Sequence, residues 1–215
     1  LFDTLELSWT ANPRTELQTL KAGRPLRLRR PISRNLDRYR RALEVIELAD
    51  LAARPGHAEP ELYAVLELAL ERFSAEMDPE LTQLAFNLQF LGALGLAPAL
   101  ESCASCGKKA PVGGSSESEV QFSAGAGGCL CSNCARDARS TGGRVGRLPI
   151  NVLRIANSLR AADSVTLGAY RLPAERRSSV RDFVERFLEY HLASRPSSRR
   201  SADRSRQSKT RTASR

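Results

Sequence analysis

Only two histidines, His57 and His191, occur in the 215 residues, and the short motifs that carry most phosphate and acyl-transfer chemistry are missing. There is no glycine-rich loop ending in Gly-Lys-Ser/Thr, no Gly-x-Ser-x-Gly and no His/Glu metal helix. His57 follows Gly56 in a loop, and His191 falls on an apolar helix face, the setting of a satisfied core histidine. Neither suggests catalytic zinc, which needs an open position and usually histidine or carboxylate ligands. Paired acids such as Glu44 and Glu47 have helix-surface spacing and read as solvated. An energy-coupled enzyme is thereby disfavoured, and the expectation is a protein without catalytic activity.

Long apolar runs are also scarce. Leu81–Leu100 is twenty residues without a charge, but it holds Thr82, Gln83, Asn87, Gln89 and Pro98, with Gly92 and Gly95 inside it. That pattern fits a buried core helix better than a membrane span. The opening stretch Leu1–Thr10 has no basic start and contains Asp3 and Glu6, unlike a secretory signal, so the expected location is cytoplasmic and nucleoid-associated, with no membrane partner. Hydrophobic residues at 41% and charged residues at 27% suit a soluble globular protein with a real core.

The net charge of +9 is unevenly spread. Residues 21–41 carry +8 and residues 195–215 carry +7, whereas residues 42–100 carry −8. Two basic segments thus bracket an acidic body. Dense lysine and arginine reward polyanion binding, because each neutralised phosphate releases counterions.

Leu5, Leu7 and Trp9 alternate with Glu6 and Ser8 at the strand period, Asn12-Pro13 marks a turn, and Leu26 and Leu28 alternate with Arg27 and Arg29 up to Pro31. Two short strands do not make a stable sheet alone. The expectation is that these are the last strands of a larger β domain, and that residues 1–35 by themselves are prone to association. From residue 36 the period is helical: Leu36, Tyr39, Leu43 and Ile46 share a face of a helix over 36–53, and Leu62, Val65, Leu66, Ala69, Leu70 and Phe73 share one after Pro60. Asp78-Pro79 is an N-cap followed by a first-turn proline, and opens a helix burying Leu81, Leu84, Ala85, Leu88 and Leu91. Helical pattern returns after Pro149 with Ile150, Leu153 and Ala156, and again over 174–193 with Val180, Phe183, Val184, Phe187 and Leu188. After Arg195 no large apolar residue remains, so a disordered basic tail is expected.

The strongest chemical signal is a doubled C-x-x-C, Cys103/Cys106 and Cys131/Cys134. Zinc prefers four tetrahedral ligands, and each C-x-x-C supplies two thiolates on one edge of the tetrahedron. Gly107 permits the left-handed backbone of such a knuckle. The Gly/Ser-rich insert Gly113–Ser118 supplies the extra length between the pairs, and Gln121 and Phe122 suit a short strand on which they meet. A redox or disulfide role is disfavoured by the cytoplasmic setting and the absence of a βαβ pattern. The expected cofactor is structural Zn2+. Cys129 is the odd fifth cysteine, either a substitute ligand for Cys131 or a nearby buried or free thiol.

The order of these parts resembles the RecO family of recombination mediators over roughly residues 1–195. The matching stretches are LEVIELAD, ELYAVLELALERF, LAFNLQFLGALGLAPALESCASCG, GGCLCSNC and FLEYHLASR, the most specific being Phe86–Gly107, where an apolar helix leads directly into C-x-x-C-G. The resemblance implies an α+β, mainly α fold: a remnant of an N-terminal OB-fold (1–35), a helical domain (36–102), an inserted four-cysteine zinc segment (103–148), helices packing back on the helical domain (149–194) and a basic tail (195–215). An OB-fold has five strands, and only its last strands fit before residue 36. The family's Gly-Gly-x-x-Cys-x-x-Cys maps onto Gly127, Gly128, Cys131 and Cys134, which supports leaving Cys129 outside the site. The implied activity is binding of single- and double-stranded DNA, annealing of complementary strands and, with RecR, loading of RecA onto DNA coated by single-strand-binding protein. The expected DNA contacts are Lys21, Arg24, Arg27, Arg29, Arg30 and Arg34, with Trp9 as a base-stacking aromatic, and a second patch of Arg136, Arg139, Arg144 and Arg147. A zinc-ribbon transcription or RNA-binding factor is the alternative, and a protein-only adaptor the third.

Overall fold

The computed structural model describes residues 1–10, 18–109 and 118–192. The expected Asn12-Pro13 turn, residues 113–117 of the Gly/Ser-rich insert and the basic tail after Arg195 lie outside the described residues. The described residues are mainly helical, with two small sheets.

The organising element is the helix α3, Pro79–Ala93. Asp78 caps it by accepting hydrogen bonds from the Glu80 and Leu81 N–H groups, both at 3.0 Å, and Pro79 follows at the first helical position, where its missing N–H costs nothing. The helix is buried nearly all round: Leu81, Leu84, Ala85, Phe86, Leu88, Phe90 and Leu91 are buried, and so are the polar Thr82, Gln83 and Asn87. At about 1.5–3 kcal/mol for each large side chain removed from water, this helix supplies much of the core. It packs against α1 (Leu36–Ala52) and α2 (Pro60–Ser74) from the first part of the chain and against α5 (Ile150–Ala161) and α7 (Ala174–Leu192) from the last. No helix among the described residues is long and apolar enough to cross a membrane.

The face that α1 buries differs from the expected one. Leu36 is 65% exposed, while Ala42, Val45, Leu48 and Ala49 are buried and Tyr39, Leu43 and Ile46 flank them. The alanines at 42 and 49 let the helix approach α2 and α3 closely, so the small residues and not the largest ones mark the contact line.

Buried and half-buried arginines tie the layers together. Arg72 of α2 is 1% exposed and reaches across to donate to the Ala162 carbonyl at 2.6 Å and the Ser164 hydroxyl at 3.3 Å, beyond the end of α5. Burial lowers its pKa from the usual guanidinium value and Asp163 opposes that shift. Arg177 of α7 donates to Asp78 at 2.6 Å, joining the last helix to the cap of α3.

The N-terminal segment is an antiparallel hairpin, β1 (Thr4–Thr10) with β2 (Thr19–Arg27), followed by a 3-10 turn over Arg30–Arg34 that contains Pro31. Leu5, Leu7 and Trp9 are 52%, 45% and 58% exposed, as a strand face with nothing packed on it would be. Among the described residues, the hairpin is anchored to the helices at its base. Phe2 is buried edge-on against Tyr39 with ring centroids 5.4 Å apart, and Arg29, 2% exposed, donates to the Phe2 carbonyl, the Thr4 hydroxyl, Glu67 and Glu71 at 2.8–2.9 Å. The Arg29 N–H also donates to Asp3 at 2.7 Å.

This clasp generates a stability prediction. Removing one partner of a buried ion pair leaves the other uncompensated, at about 3–5 kcal/mol when both are fully buried. Glu71 is 43% exposed, so Arg29→Ala should weaken docking of the hairpin by about 2–4 kcal/mol. Hydrogen exchange should show residues 4–10 and 19–27 losing protection while α3 keeps it; unchanged protection in the hairpin would count against the clasp.

Candidate metal centre

The first cysteine pair is placed by the chain that leaves α3. After Pro98, Ala99 lies parallel to Gly128: the Ala99 N–H donates to the Gly127 carbonyl at 2.9 Å and the Cys129 N–H to the Ala99 carbonyl at 2.8 Å. The approach is so close that a Cβ on Gly128 would sit 2.5 Å from the Ala99 carbonyl oxygen. Only glycine fits there. Next, the Ala104 N–H donates to the Cys129 carbonyl at 2.8 Å, and the Cys103–Gly107 turn closes with bonds from Gly107 N–H to the Cys103 carbonyl and from Cys103 N–H to the Lys108 carbonyl. Gly107 has φ +71°, as the knuckle requires.

The second pair comes from a three-stranded antiparallel sheet, ordered β4-β3-β5, with β3 at Glu119–Ser123, β4 at Gly128–Leu130 and β5 at Gly146–Pro149. Strand β3 covers the expected Gln121 and Phe122. Cys131 follows β4 as the N-cap residue of α4 (Ser132–Ser140), and Cys134 lies in the first turn of that helix, where its N–H favours the Cys131 thiolate.

The Sγ atoms of Cys103, Cys106, Cys131 and Cys134 lie within 4.8 Å of one another, with Cys106 and Cys131 at 3.8 Å. Four sulfurs each about 2.3 Å from a central ion would be separated by about 3.8 Å. The donor set therefore fits a tetrahedral, thiolate-binding ion. Electrostatics agree. Burial pushes the Cys103 thiol up, but N–H groups of Cys131, Cys106 and Ser105 overcome it and bring its pKa down to about 6. Cys131 is lowered, chiefly by the Cys134 N–H. Cys134 is pushed up to about 12 by its contacts with the sulfurs of Cys131, Cys106 and Cys103. The backbone thus stabilises the first negative charges, and the last thiol keeps its proton until a cation offsets the accumulated charge.

Cys129 points elsewhere. It is fully buried, faces the Leu100 carbonyl at 3.6 Å and belongs to the main core; burial, assisted by the neighbouring Cys103 charge, pushes its pKa up to about 11. His191 does not belong to the cluster of candidate ligands. Its ring packs on Phe187 at 4.5 Å, and its Nε2 has no partner among the described residues, so the expected satisfied core histidine is corrected to an unsatisfied one.

The basic residues separate into groups. Arg29 is withdrawn from any interface, because its guanidinium is buried against Glu67 and Glu71, and the expected contact there is corrected to a structural clasp. Lys21, Arg24, Arg27, Arg30, Arg34, Arg136, Arg139, Arg144 and Arg147 are exposed. Arg24 pairs with Glu6 at 2.8 Å and Arg27 with Glu71 at 2.9 Å, and Arg147 approaches Glu119 at 3.6 Å. Such exposed pairs are worth about 0–1 kcal/mol and exchange readily for another anion. Lys108 and Lys109, next to Gly107, add two exposed cations to the four-cysteine segment. Their place directly after C-x-x-C-G is the sequence signal that marks them.

A family model described as Recombination protein O C terminal matches residues 33–200. Proteins named DNA repair protein RecO are similar to the chain. That of Anaeromyxobacter sp. (strain K) is 35% identical over 159 residues, 73% of this chain and 58% of the relative. That of Myxococcus xanthus (strain DK1622) is 33% identical over 156 residues, 72% and 57% respectively, and that of Desulfatibacillum aliphaticivorans is 28% identical over 188 residues, 84% and 70%. The chain thus spans 58% of the length of the first of these relatives.

Two substitutions check the geometry by metal analysis. Cys131→Ser should lose bound metal and Cys129→Ser should keep it; the reverse outcome would overturn the four-sulfur assignment. Because Cys134 holds its proton at neutral pH, metal uptake by stripped protein at pH 7 should release at least one proton per ion, and acidification toward pH 6, where Cys103 also begins to protonate, should weaken binding.

Proposed function

Because the chain belongs to the RecO family of recombination proteins, we propose that it is a non-enzymatic DNA-binding mediator of DNA repair, with a structural zinc ion held by Cys103, Cys106, Cys131 and Cys134. The observation that carries the reading is the family match over residues 33–200, which includes both cysteine pairs. When bound, zinc would crosslink the loop after α3 to the start of α4. Four thiolates would leave no open position for a substrate or an activated water.

Residues 36–102 and 149–194 form the helical part in this reading, residues 103–148 the zinc segment, and the hairpin within residues 1–35 the last strands of an OB-fold. The exposed Leu5, Leu7 and Trp9 support the last point, since barrel strands need neighbours on that face. The mediator binds single- and double-stranded DNA and anneals complementary strands. It acts with RecR to load RecA onto DNA covered by single-strand-binding protein. The exposed cations on the hairpin side, Lys21, Arg24, Arg27, Arg30 and Arg34, and those of the zinc segment, Arg136, Arg139, Arg144 and Arg147, contact phosphates, with Trp9 available to stack on a base. A zinc-ribbon transcription or RNA-binding factor would share the four cysteines but not the helical match on both sides of them.

DNA affinity should fall linearly with salt on logarithmic axes, by about 0.7–0.9 per neutralised phosphate, without a nucleoside triphosphate. Replacing Arg136, Arg139 and Arg144 together with alanine should reduce that slope by about two to three units. Fluorescence anisotropy at several salt concentrations measures both. A slope unchanged in the triple variant would remove the zinc-segment patch from the interface, and the absence of any DNA binding would remove the reading itself.

A further inference from the structure

Beside the zinc segment, β3, β5, α5 and α7 enclose an open cavity of about 400 Å3, within the size range of sites for small organic groups. Its floor is apolar. Phe122 of β3 meets Phe183 of α7 edge-on at 5.2 Å and Phe187 at 5.9 Å between ring centroids, and Val152 of α5 adjoins them. Its rim is cationic, with Arg144 just before β5, Arg147 within it and Arg186 from α7 against the single acid Asp182. Arg144 and Arg186 are exposed and make no ion pair among the described residues.

We propose that this cavity is a subsite for one unpaired nucleotide of single-stranded DNA, with the base in the apolar interior and the flanking phosphates on Arg144, Arg147 and Arg186. The proposal rests on the DNA-binding reading above and adds a place where single strand is distinguished from duplex. Three arginines around an apolar recess are complementary to a ligand that alternates flat apolar groups with negative charge, as a nucleic acid strand does. A polymeric anion is favoured because Arg136 and Arg139 of α4, on the adjoining segment, carry further exposed positive charge. A base stacked and paired in a duplex cannot enter such a recess without being flipped out, so the cavity selects unpaired strands.

The test compares three labelled probes by anisotropy on the full 215-residue chain: an oligothymidylate, an abasic strand of equal length and a duplex. The abasic strand should bind at least about tenfold more weakly than oligothymidylate, the scale of one stacked base. Ser179 stands exposed among the lining residues, its hydroxyl bonded only to the Glu175 carbonyl of its own helix. Ser179→Leu, which fills the mouth without touching the core, should bring oligothymidylate down toward the abasic level and leave abasic and duplex affinities unchanged. Arg186→Glu should weaken both single-stranded probes. Metal content and thermal midpoint of each variant, expected to match the parent, establish that the fold is intact. A parent chain that binds oligothymidylate and the abasic strand equally, or a Ser179→Leu variant that keeps the parent's ratio, overturns the subsite while leaving general DNA binding standing. Binding of an acidic peptide with an apolar end that Ser179→Leu abolishes, with oligothymidylate binding untouched, would assign the cavity to a protein partner and overturn it equally. Failure of all three probes to bind would sink the DNA-binding reading with it.

Discussion

The backbone of Gly128 lies against that of Ala99 with no room for a side chain between them, and the position of every sulfur follows from this contact. Ala99 stands a few residues beyond the central helix α3, so the parallel pairing brings the strand β4 to the end of the best-buried element in the protein. From there Cys103 and Cys106 are carried by a short turn, and Cys131 and Cys134 by the end of β4 and the start of α4. An alanine at 128 would have to displace backbone, since its Cβ would lie within 2.7 Å of both the nitrogen and the carbonyl oxygen of Ala99. A thiolate-binding ion would complete this arrangement: the peptide N–H groups favour the first sulfur charges, and the last of them needs a cation nearby.

Charge is partitioned by the same architecture. The acidic stretch 42–100 lies largely in α1, α2 and the start of α3, and two of its carboxylates, Glu67 and Glu71, turn toward the basic N-terminal segment. One arginine, Arg29, is buried in that internal contact, whereas Arg27 joins Glu71 from the exposed side and Arg30 stays in solvent. On the opposite side of the sequence the four-cysteine segment carries its own exposed cations, most of them on α4 and the approach to β5. The acidic helices therefore act as scaffold, and the two β-rich segments present the positive surface.

Much of this was legible in the residue order. Asp78-Pro79 announced the start of α3, the apolar period marked α2, α5 and α7, and the doubled C-x-x-C with Gly107 marked the sulfur cluster, because each of these signals is local. What escaped was set by tertiary neighbours. The contact line of α1 runs through Ala42 and Ala49, and no rule of hydrophobic size points to alanine. Nothing in Arg29 or Arg72 distinguishes a buried arginine from an exposed one until the carboxylates and carbonyls contributed by distant segments are known. The recess between β5 and α7 joins Arg144 to Arg186 across a helical segment and was invisible for the same reason.

In the proposed mediator the ion would fasten a basic surface that holds DNA strands. The rate at which complementary oligonucleotides anneal in the presence of the chain, without nucleoside triphosphate, before and after the metal is stripped, tests that most directly. The expected result is annealing well above the spontaneous rate with metal bound and loss of most of that acceleration without it. Annealing at the spontaneous rate by fully metal-loaded protein would contradict it.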